Sequence, residues 1–249
     1  VGQSLNELST SATSGPQPYP DQITEDDCTQ VDEMIAATEL RLEHSCDLIL
    51  DPTTPPICNE KPLILFEEDF ENGLSDWTLT NEGVYSGWNG QNWELSSLLP
   101  DGHAGSAAFA AAPHIGNCDG GDGDVSGVMM LESPPISLGE LNNAGTDGVV
   151  KVSFDHFIES ETPFDGGNVK ISINGGEYEL IDKSKFIFNP YNFFIVGDNP
   201  IRGQEAFTGI NLGSGVGNWG QSQIDLTQYG LTSADVIRLR FDFGRDGCN

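Results

Sequence analysis

A short acidic segment rich in glycine is the first candidate for chemistry. Asp119, Asp122 and Asp124 fall in one short segment and are separated by glycines, which allow the backbone to fold tightly. Several carboxylate oxygens can then face one hard cation, and Ca²⁺ suits such oxygens best. An EF-hand interpretation fails, because Glu132 falls one position early and strands are expected on both sides. The segment predicts a calcium site, and the alternative is a solvated loop in a very acidic protein.

Motifs for catalysis are missing from the sequence. The chain has four histidines: His44, His103, His114 and His156. None belongs to an H-E-x-x-H pattern, which would hold zinc, and there is neither a G-x-S-x-G elbow nor a phosphate-binding loop. Glu159 and Glu161 could serve as the acid and base of a glycosidase, but a chain with 39 acidic residues offers such pairs of carboxyl groups by chance. We therefore expect no catalysis by this chain, and we expect His156 to lie in the core.

A third group of candidates is aromatic. Trp88 and Trp93 flank residues 89–92, which carry amide side chains, and Tyr85 is nearby. Rings and amides of this kind can bind a sugar, because its apolar face stacks on aromatic rings while its hydroxyls need polar partners. The alternative, which we favour, is that Trp93 lies in the core and Trp88 covers an edge of a sheet.

The composition excludes several classes of function. The chain has 249 residues, with 39 Asp and Glu against 10 Lys and Arg, which gives a net charge of −29. Such a chain repels nucleic-acid phosphates and anionic membrane surfaces, so neither is expected as a partner. No run of about 20 apolar residues is present, so no membrane insertion is expected. The abundance of Gly, Asn, Asp and Ser favours a secreted protein, and we expect Val1 to be a cut within a longer chain.

Five cysteines without a C-x-x-C pair favour disulfides over a metal cluster. If residues 25–43 form one helix, Cys28 and Cys46 lie near its opposite ends and cannot pair. Cys46 and Cys58 can pair through the flexible segment between them, which leaves Cys118 and Cys248 for a second disulfide over a long separation. Cys28 then either has a partner upstream of the sequence or is a buried free thiol.

Three zones follow one another along the sequence. Residues 1–44 have apolar side chains at helical spacing and predict a short α-helical hairpin segment. Residues 45–62 contain four prolines and predict a linker between domains. From residue 63 to residue 249 the apolar period changes to two, as half-buried strands require.

The third zone has the pattern of a protein that is mostly β. Alternation is clearest in three segments: 150–156, 169–173 and 237–243. Short apolar runs predict further strands at 63–66, 107–111, 128–131 and 223–226. Asn174 and Gly175 suit a tight hairpin turn, and residues 186–194 are too apolar for a free loop and are expected to cross the sandwich. Eight or more strands with this pattern favour a jelly-roll β-sandwich.

Two parts of the sequence resemble known families. Residues 1–8 and 23–40, a pair of helices with an Ala-rich end, are similar to the last two helices of thermolysin- and fungalysin-type secreted zinc metallopeptidases. The third zone resembles the MAM-like jelly rolls appended to bacterial secreted peptidases. The motifs that carry this likeness are EEDFENG at 67–73, FDHF at 154–157 and DGGNVKISINGG at 165–176. Members of that family continue past such a C-terminal Gly-Cys into a further strand, which implies a second cut.

The resemblance implies a function. It implies a non-catalytic, calcium-stabilised jelly-roll module, joined by the linker to the end of a peptidase domain. In related jelly rolls a calcium ion ties the first strand to a later loop, which adds Glu68 and Asp69 to the expected ligands. The module would stabilise its parent peptidase, aid its secretion, or attach it to an extracellular protein or polysaccharide. The alternative is an extracellular glycan-binding or adhesive module that self-associates.

Overall fold

The computed structural model of the chain describes residues 63–111, 116–117, 119–143, 150–209 and 219–247. They belong to the second of the two units into which the chain divides, Leu63–Asn249. The predicted helical segment 1–44, the linker 45–62 and all five cysteines with their predicted disulfides lie outside the described residues.

The described residues form thirteen strands and four short 3-10 helices. The strands are β1 (Thr78–Gly83), β2 (Trp93–Ser96), β3 (Ala107–Ala110), β4 (Gly127–Glu132), β5 (Ile136–Ser137), β6 (Lys151–Phe157), β7 (Gly166–Ile173), β8 (Glu179–Leu180), β9 (Phe186–Phe188), β10 (Phe193–Phe194), β11 (Glu205–Thr208), β12 (Trp219–Asp225) and β13 (Val236–Arg245). The 3-10 helices are Ser86–Trp88, Gly139–Asn143, Lys183–Lys185 and Thr227–Tyr229. The prediction of a protein that is mostly β is confirmed over the described residues.

The strands build two sheets and a small ribbon, all antiparallel. The first sheet has the order β1-β4-β13-β7-β11-β10, with β5 also paired to β13 and β8 to β7. The second sheet has the order β6-β12-β9, and β2 and β3 form the ribbon. Strand β13 pairs along its length with β7 and β4, which makes it the centre of the first sheet.

The core lies between the two sheets. Val169 and Ile171 on β7 and Ile237 on β13 are buried, and they belong to one cluster with Ile224 on β12. Side chains of β6, among them Phe154, pack against the same cluster. Because alternate residues of a strand point to opposite faces, the predicted period of two places one face of each sheet in this core and leaves the other outside. The arrangement is that of a β-sandwich.

Two local predictions are confirmed by the backbone. Asn174 and Gly175 have φ values of 54° and 74°, the left-handed conformation that a tight hairpin needs, and the chain returns so that β8 pairs with β7. The apolar segment 186–194 leads from β9 in the second sheet to β10 in the first, so it crosses the sandwich as expected.

The prediction of a strand at residues 63–66 is wrong. Leu63, Ile64 and Phe66 are exposed, and of this run only Leu65 packs against the core. The run has no alternation and leads directly into acidic residues, so its burial stabilises too little to hold a strand.

The Trp88 side chain packs against two glycines, and we call this position the Trp88 seat. Gly83 on β1 and Gly127 on β4 are direct partners in the sheet register, and the Trp88 ring lies against both. The ring is 5% exposed, and its Nε1 donates to Asn81 Oδ1 at 2.8 Å. A methyl group at either glycine would overlap atoms of the Trp88 side chain.

Replacing one of these glycines tests this packing. We expect Gly127→Ala to lower the free energy of unfolding by about 1–3 kcal/mol, because the added methyl group overpacks a filled site. Urea unfolding followed by intrinsic fluorescence measures the change. Gly139→Ala is the matched control, because the nearest atom to its added methyl group is Ser137 Oγ at 3.4 Å. Equal stability of the two variants would contradict the packing described here.

Candidate functional site

The acidic segment forms a loop before β4 that is closed by its own backbone. Gly120 and Gly121 have φ values of 72° and 88°, which only glycine adopts readily, and they turn the chain back on itself. Asp124 N donates to Gly121 O at 3.2 Å, and Asn117 N donates to Gly123 O at 2.8 Å. The predicted ability of the glycines to fold this segment tightly is therefore realised.

Asp124 is the centre of the loop. Its side chain is 2% exposed, and its carboxylate accepts from Ser126 N at 2.8 Å and from Gly120 N at 3.2 Å. Ser126 Oγ lies 2.5 Å from Asp124 Oδ1 and also contacts the carbonyl oxygen of Asp246. The charge of Asp124 strengthens the bonds that it accepts within the loop, and Ser126 connects the loop to Asp246, directly after β13.

The other two aspartates of the loop are exposed. Asp122 accepts a hydrogen bond from Ser86 Oγ, in the turn after β1. In the same turn the Tyr85 hydroxyl donates to Asp198, and this bond together with the negative charge of Asp198 raises the Tyr85 pKa. Asp122 and Asp198 thus contact neighbouring residues of one turn, while Asp119 lies exposed at the start of the loop.

A buried ion cluster lies beside this loop. Arg245 at the end of β13 is 1% exposed, and its Nη1 donates to Gln91 Oε1 at 2.9 Å. Burial lowers the Arg245 pKa, and the nearby charges of Asp165 and Asp246 oppose that change. Asp246 N donates to Asp165 Oδ1 at 2.9 Å, so the strand end is held by a side chain from the β6–β7 connection. We call the loop 119–126 together with Gln91, Asp165, Arg245 and Asp246 the acidic clasp.

Asp165 is the titratable group of the acidic clasp with the largest change. Burial raises its pKa to about 6, and the charges of Asp246 and Glu161 act in the same direction. The hydrogen bond from Asp246 N and the charge of Arg245 act in the opposite direction, without cancelling the effect of burial. In the sequence, Asp165 stands out only as the first residue of the motif at 165–176, and Arg245 and Asp246 belong to no motif. One signal was available: Arg245, a rare cation in this chain, ends a strongly alternating strand.

Glu68 and Asp69, the other two predicted calcium ligands, are engaged in a different place. Glu68 accepts from Trp77 Nε1 at 2.9 Å and from Phe70 N at 2.7 Å, and Asp69 accepts from Glu71 N at 3.0 Å. They line an open groove of about 370 Å³ next to Trp77 rather than the acidic clasp. Within the described ranges, no three Asp, Glu, His or Cys side chains are grouped as a metal site requires.

The two tryptophans that were candidates for glycan contact are in different environments. The Trp88 ring is buried on its glycine seat, as described above. Trp93 on β2 is half-buried, and its Nε1 is enclosed without a hydrogen-bond partner. The Trp88 ring therefore leaves almost no surface on which a sugar can stack.

His156 lies on β6 between aromatic rings of the core. Its ring centre is 4.4 Å from that of Phe207, and Nε2 is 2.9 Å from Ser222 Oγ. Ser222 is fully buried and donates to the carbonyl oxygen of Asn189 at 2.7 Å. Burial lowers the His156 pKa to about 4, so the ring is neutral at pH 7.

Comparisons with protein-family models, with curated proteins and with solved structures gave no match for this chain. The described part of the chain contains no helix that is long and apolar enough to cross a membrane.

The pH dependence of stability follows from Asp165 and His156, with opposite signs. The pKa of Asp165 is raised on folding. The stability that Asp165 contributes is therefore fully present below about pH 4 and is lost as the pH rises to about 6. The pKa of His156 is lowered, so its contribution is present above pH 6.5 and is lost as the pH falls towards 4. Between pH 4 and pH 6 the two therefore offset each other.

Single substitutions separate these two effects. We expect Asp165→Asn, which mimics the protonated acid, to raise the free energy of unfolding by about 2 kcal/mol at pH 7 and to leave it unchanged near pH 4. His156→Gln is expected to lower stability but to remove the loss on acidification. Urea unfolding at pH 4.5 and pH 7 measures both. A constant difference between Asp165→Asn and the parent chain at the two pH values would show that Asp165 does not titrate in this range.

Proposed function

We propose that residues 63–249 form a non-catalytic accessory module of a secreted protein, whose work is stabilisation and attachment. The observation that carries this proposal is that carboxylates of the acidic clasp accept hydrogen bonds from the protein itself. Asp124, the most enclosed of the predicted ligands, accepts hydrogen bonds from the protein itself, and Asp165 and Asp246 hold the end of β13. These acids thus connect strand ends instead of facing a substrate.

The most reactive pair in the core supports the same proposal. His156 and Ser222 are close enough for a base and a nucleophile, at 2.9 Å. Ser222 Oγ is enclosed, however, and its proton is directed to the Asn189 carbonyl. A substrate would have to open the core to reach this pair.

The fold assignment and the parentage belong to the same proposal. Two antiparallel sheets that face each other across one core suit a jelly roll of the MAM-like kind, although jelly-roll topology goes further than the sandwich architecture alone. The parent that we propose is a secreted zinc metallopeptidase, on the strength of the sequence motifs. The second candidate is an adhesive module, favoured by the exposed Phe193 and Phe194 on edge strand β10, which offer an apolar surface for self-association.

Three measurements on the full chain test the proposal. We expect no turnover of casein, peptide mixtures or polysaccharides, because Ser222 of the His156–Ser222 pair is enclosed in the core. We expect retention on an insoluble extracellular material, as an attachment module requires, and we expect a monomer in sedimentation. Turnover that disappears in Ser222→Ala or Asp165→Asn would overturn the non-catalytic proposal, and a concentration-dependent oligomer lost in Phe193→Ala would favour the adhesive alternative.

Calcium at the loop is a further part of the proposal. Asp122 and Asp198 contact one turn, Asp124 lies behind it, and the carbonyl oxygens of Asp122 and Asp124 lie close to Gly87. Calcium accepts carbonyl and hydroxyl oxygens along with carboxylates, so two or three acids are enough. The negative charge gathered here supports a divalent cation, whereas Glu68 and Asp69 do not fit the same site.

Thermal unfolding with and without calcium tests this assignment. At a calcium concentration of 100 times Kd, we expect the free energy of unfolding to rise by about 2.7 kcal/mol, or Tm by about 5–10 °C, because only the native state binds the ion. Asp122→Asn should remove most of this rise. Asp101→Asn, an exposed aspartate in another turn, is the matched control and should keep it. A Tm that is the same in calcium and in chelator would leave the loop as solvated surface.

A further inference from the structure

The outer face of the second sheet has a composition that sets it apart from the rest of the described surface. In the register of β6 and β12, Trp219 is opposite Phe157, Gln221 is opposite Asp155, and Gln223 is opposite Ser153. The residues between them, such as Phe154 and Ile224, belong to the core. Because side chains alternate across a strand, the six paired residues lie together on the outside. We call Ser153, Asp155, Phe157, Trp219, Gln221 and Gln223, together with His103, the outer face.

Aromatic rings form one end of the outer face. The Trp219 ring centre lies 5.8 Å from that of Phe157 and 4.4 Å from that of His103. Trp219 Nε1 donates to the carbonyl oxygen of Pro100 at 3.0 Å, which fixes the orientation of the indole. Trp219 and Phe157 are half-buried, so part of each ring faces solvent.

Polar groups continue from this aromatic end along the strands. Gln223 Nε2 donates to Gln221 Oε1 at 2.8 Å, and Gln221 Nε2 donates to Asp155 Oδ1 at 3.1 Å. Asp155 Oδ2 lies 3.7 Å from His103 Nε2, and the Asp155 side chain is 49% exposed. Each glutamine uses one N–H in these bonds and has a second, and each amide and carboxylate oxygen has lone pairs left for a ligand. These hydrogen bonds fix the orientation of the side chains, and the remaining donors and acceptors are available to a ligand.

This combination of groups suits a sugar chain. Hydroxyl groups are both donors and acceptors, and amides and carboxylates match them, while a half-exposed indole can stack on the apolar face of a sugar ring. The outward residues Trp219, Gln221 and Gln223 lie within five residues of β12, and successive outward residues of a strand are about 6.6 Å apart, so the polar and aromatic groups follow an extended ligand.

Charge decides between classes of polysaccharide. The chain has a net charge of −29, and Asp155 lies in the middle of the outer face. Uronic acids and sulfated sugars are repelled by this field at moderate ionic strength. We propose that the outer face binds a neutral polysaccharide chain, with Trp219 as the stacking residue and Asp155, Gln221 and Gln223 as the groups that hold hydroxyls. This inference rests on the attachment role proposed above and gives that role a site and a ligand class.

Retention on insoluble polysaccharides tests the outer face. The full chain is mixed with cellulose, with a β-1,3-glucan, with mannan and, as the anionic counterpart, with cross-linked polygalacturonate. We expect retention on at least one neutral polymer and none on polygalacturonate. Trp219→Ala should lower the affinity about tenfold, which corresponds to about 1.4 kcal/mol. Gln221→Ala should lower it several-fold, and Trp219→Tyr should restore part of the binding.

A matched control and a folding control complete the experiment. Phe109→Ala removes an exposed aromatic ring from β3 of the ribbon, outside the outer face, and it should bind as the parent chain does. Circular dichroism and Tm establish that each variant is folded. If Trp219→Ala does not fold, Gln221→Ala and Asp155→Asn carry the test, because both side chains are exposed.

The outcomes separate the inference from the proposed function. Neutral-polymer binding that is lost in the outer-face variants and kept in Phe109→Ala supports both. Binding that all outer-face variants retain overturns the outer face as the site but leaves attachment in place. Binding to an extracellular protein and to no polysaccharide overturns the ligand class. No binding to any extracellular material contradicts the inference and the attachment role together.

Discussion

Strand β13 imposes three constraints on the rest of the molecule. It pairs with β4, β5 and β7, so it sets the order of the first sheet. Its inner residues Ile237 and Leu239 are buried in the cluster that joins the two sheets. At its end, Arg245 and Asp246 are enclosed by the acidic clasp, and the carbonyl oxygen of Asp246 contacts Ser126. Core, sheet and clasp therefore form as one cooperative unit, since a shift in the register of β13 would move its buried side chains to the opposite face.

The distribution of charge follows from the small number of cations. Asp242 on β13 is buried, and it is held by Lys170 Nζ at 2.7 Å and by Arg240 Nε at 2.7 Å. Arg245 is likewise enclosed beside two acids. Cations placed next to buried carboxylates limit the cost of enclosing those acids, because an unpaired buried charge is strongly destabilising. The net charge of −29 creates a field that favours neutral and cationic ligands over anionic ones.

The sequence predicted the β architecture well, because its information was local. Alternation in 169–173 and 237–243 needs only the chain itself, and the turn at Asn174 and Gly175 follows from the few residues that tolerate a positive φ. The run 63–66 led to a wrong prediction of a strand, because its apolar composition does not show whether a partner strand is available.

The candidate sites were harder to predict, because they depend on contacts between distant segments. The local sequence around Asp124 predicts a calcium ligand. Its hydrogen bonds with Ser126, and the contact of Ser126 with the end of β13, depend on the folded structure. Trp219 and Gln221 meet Phe157 and Asp155 across more than sixty residues of sequence, through a register that no local pattern contains. Trp88 attracted attention by its amide-rich neighbours, while its actual environment is set by the glycine pair of β1 and β4.

The central claim is that ligand binding belongs to the outer face and that the acidic clasp and the Trp88 seat are structural. The most direct test is an NMR titration of the full chain with a soluble neutral oligosaccharide, in which the four indole N–H signals are assigned by substitution. If the outer face is the binding site, the Trp219 signal will shift in a saturable way while those of Trp77, Trp88 and Trp93 stay in place. A shift of the Trp88 or Trp93 signal with an unchanged Trp219 signal would contradict this assignment.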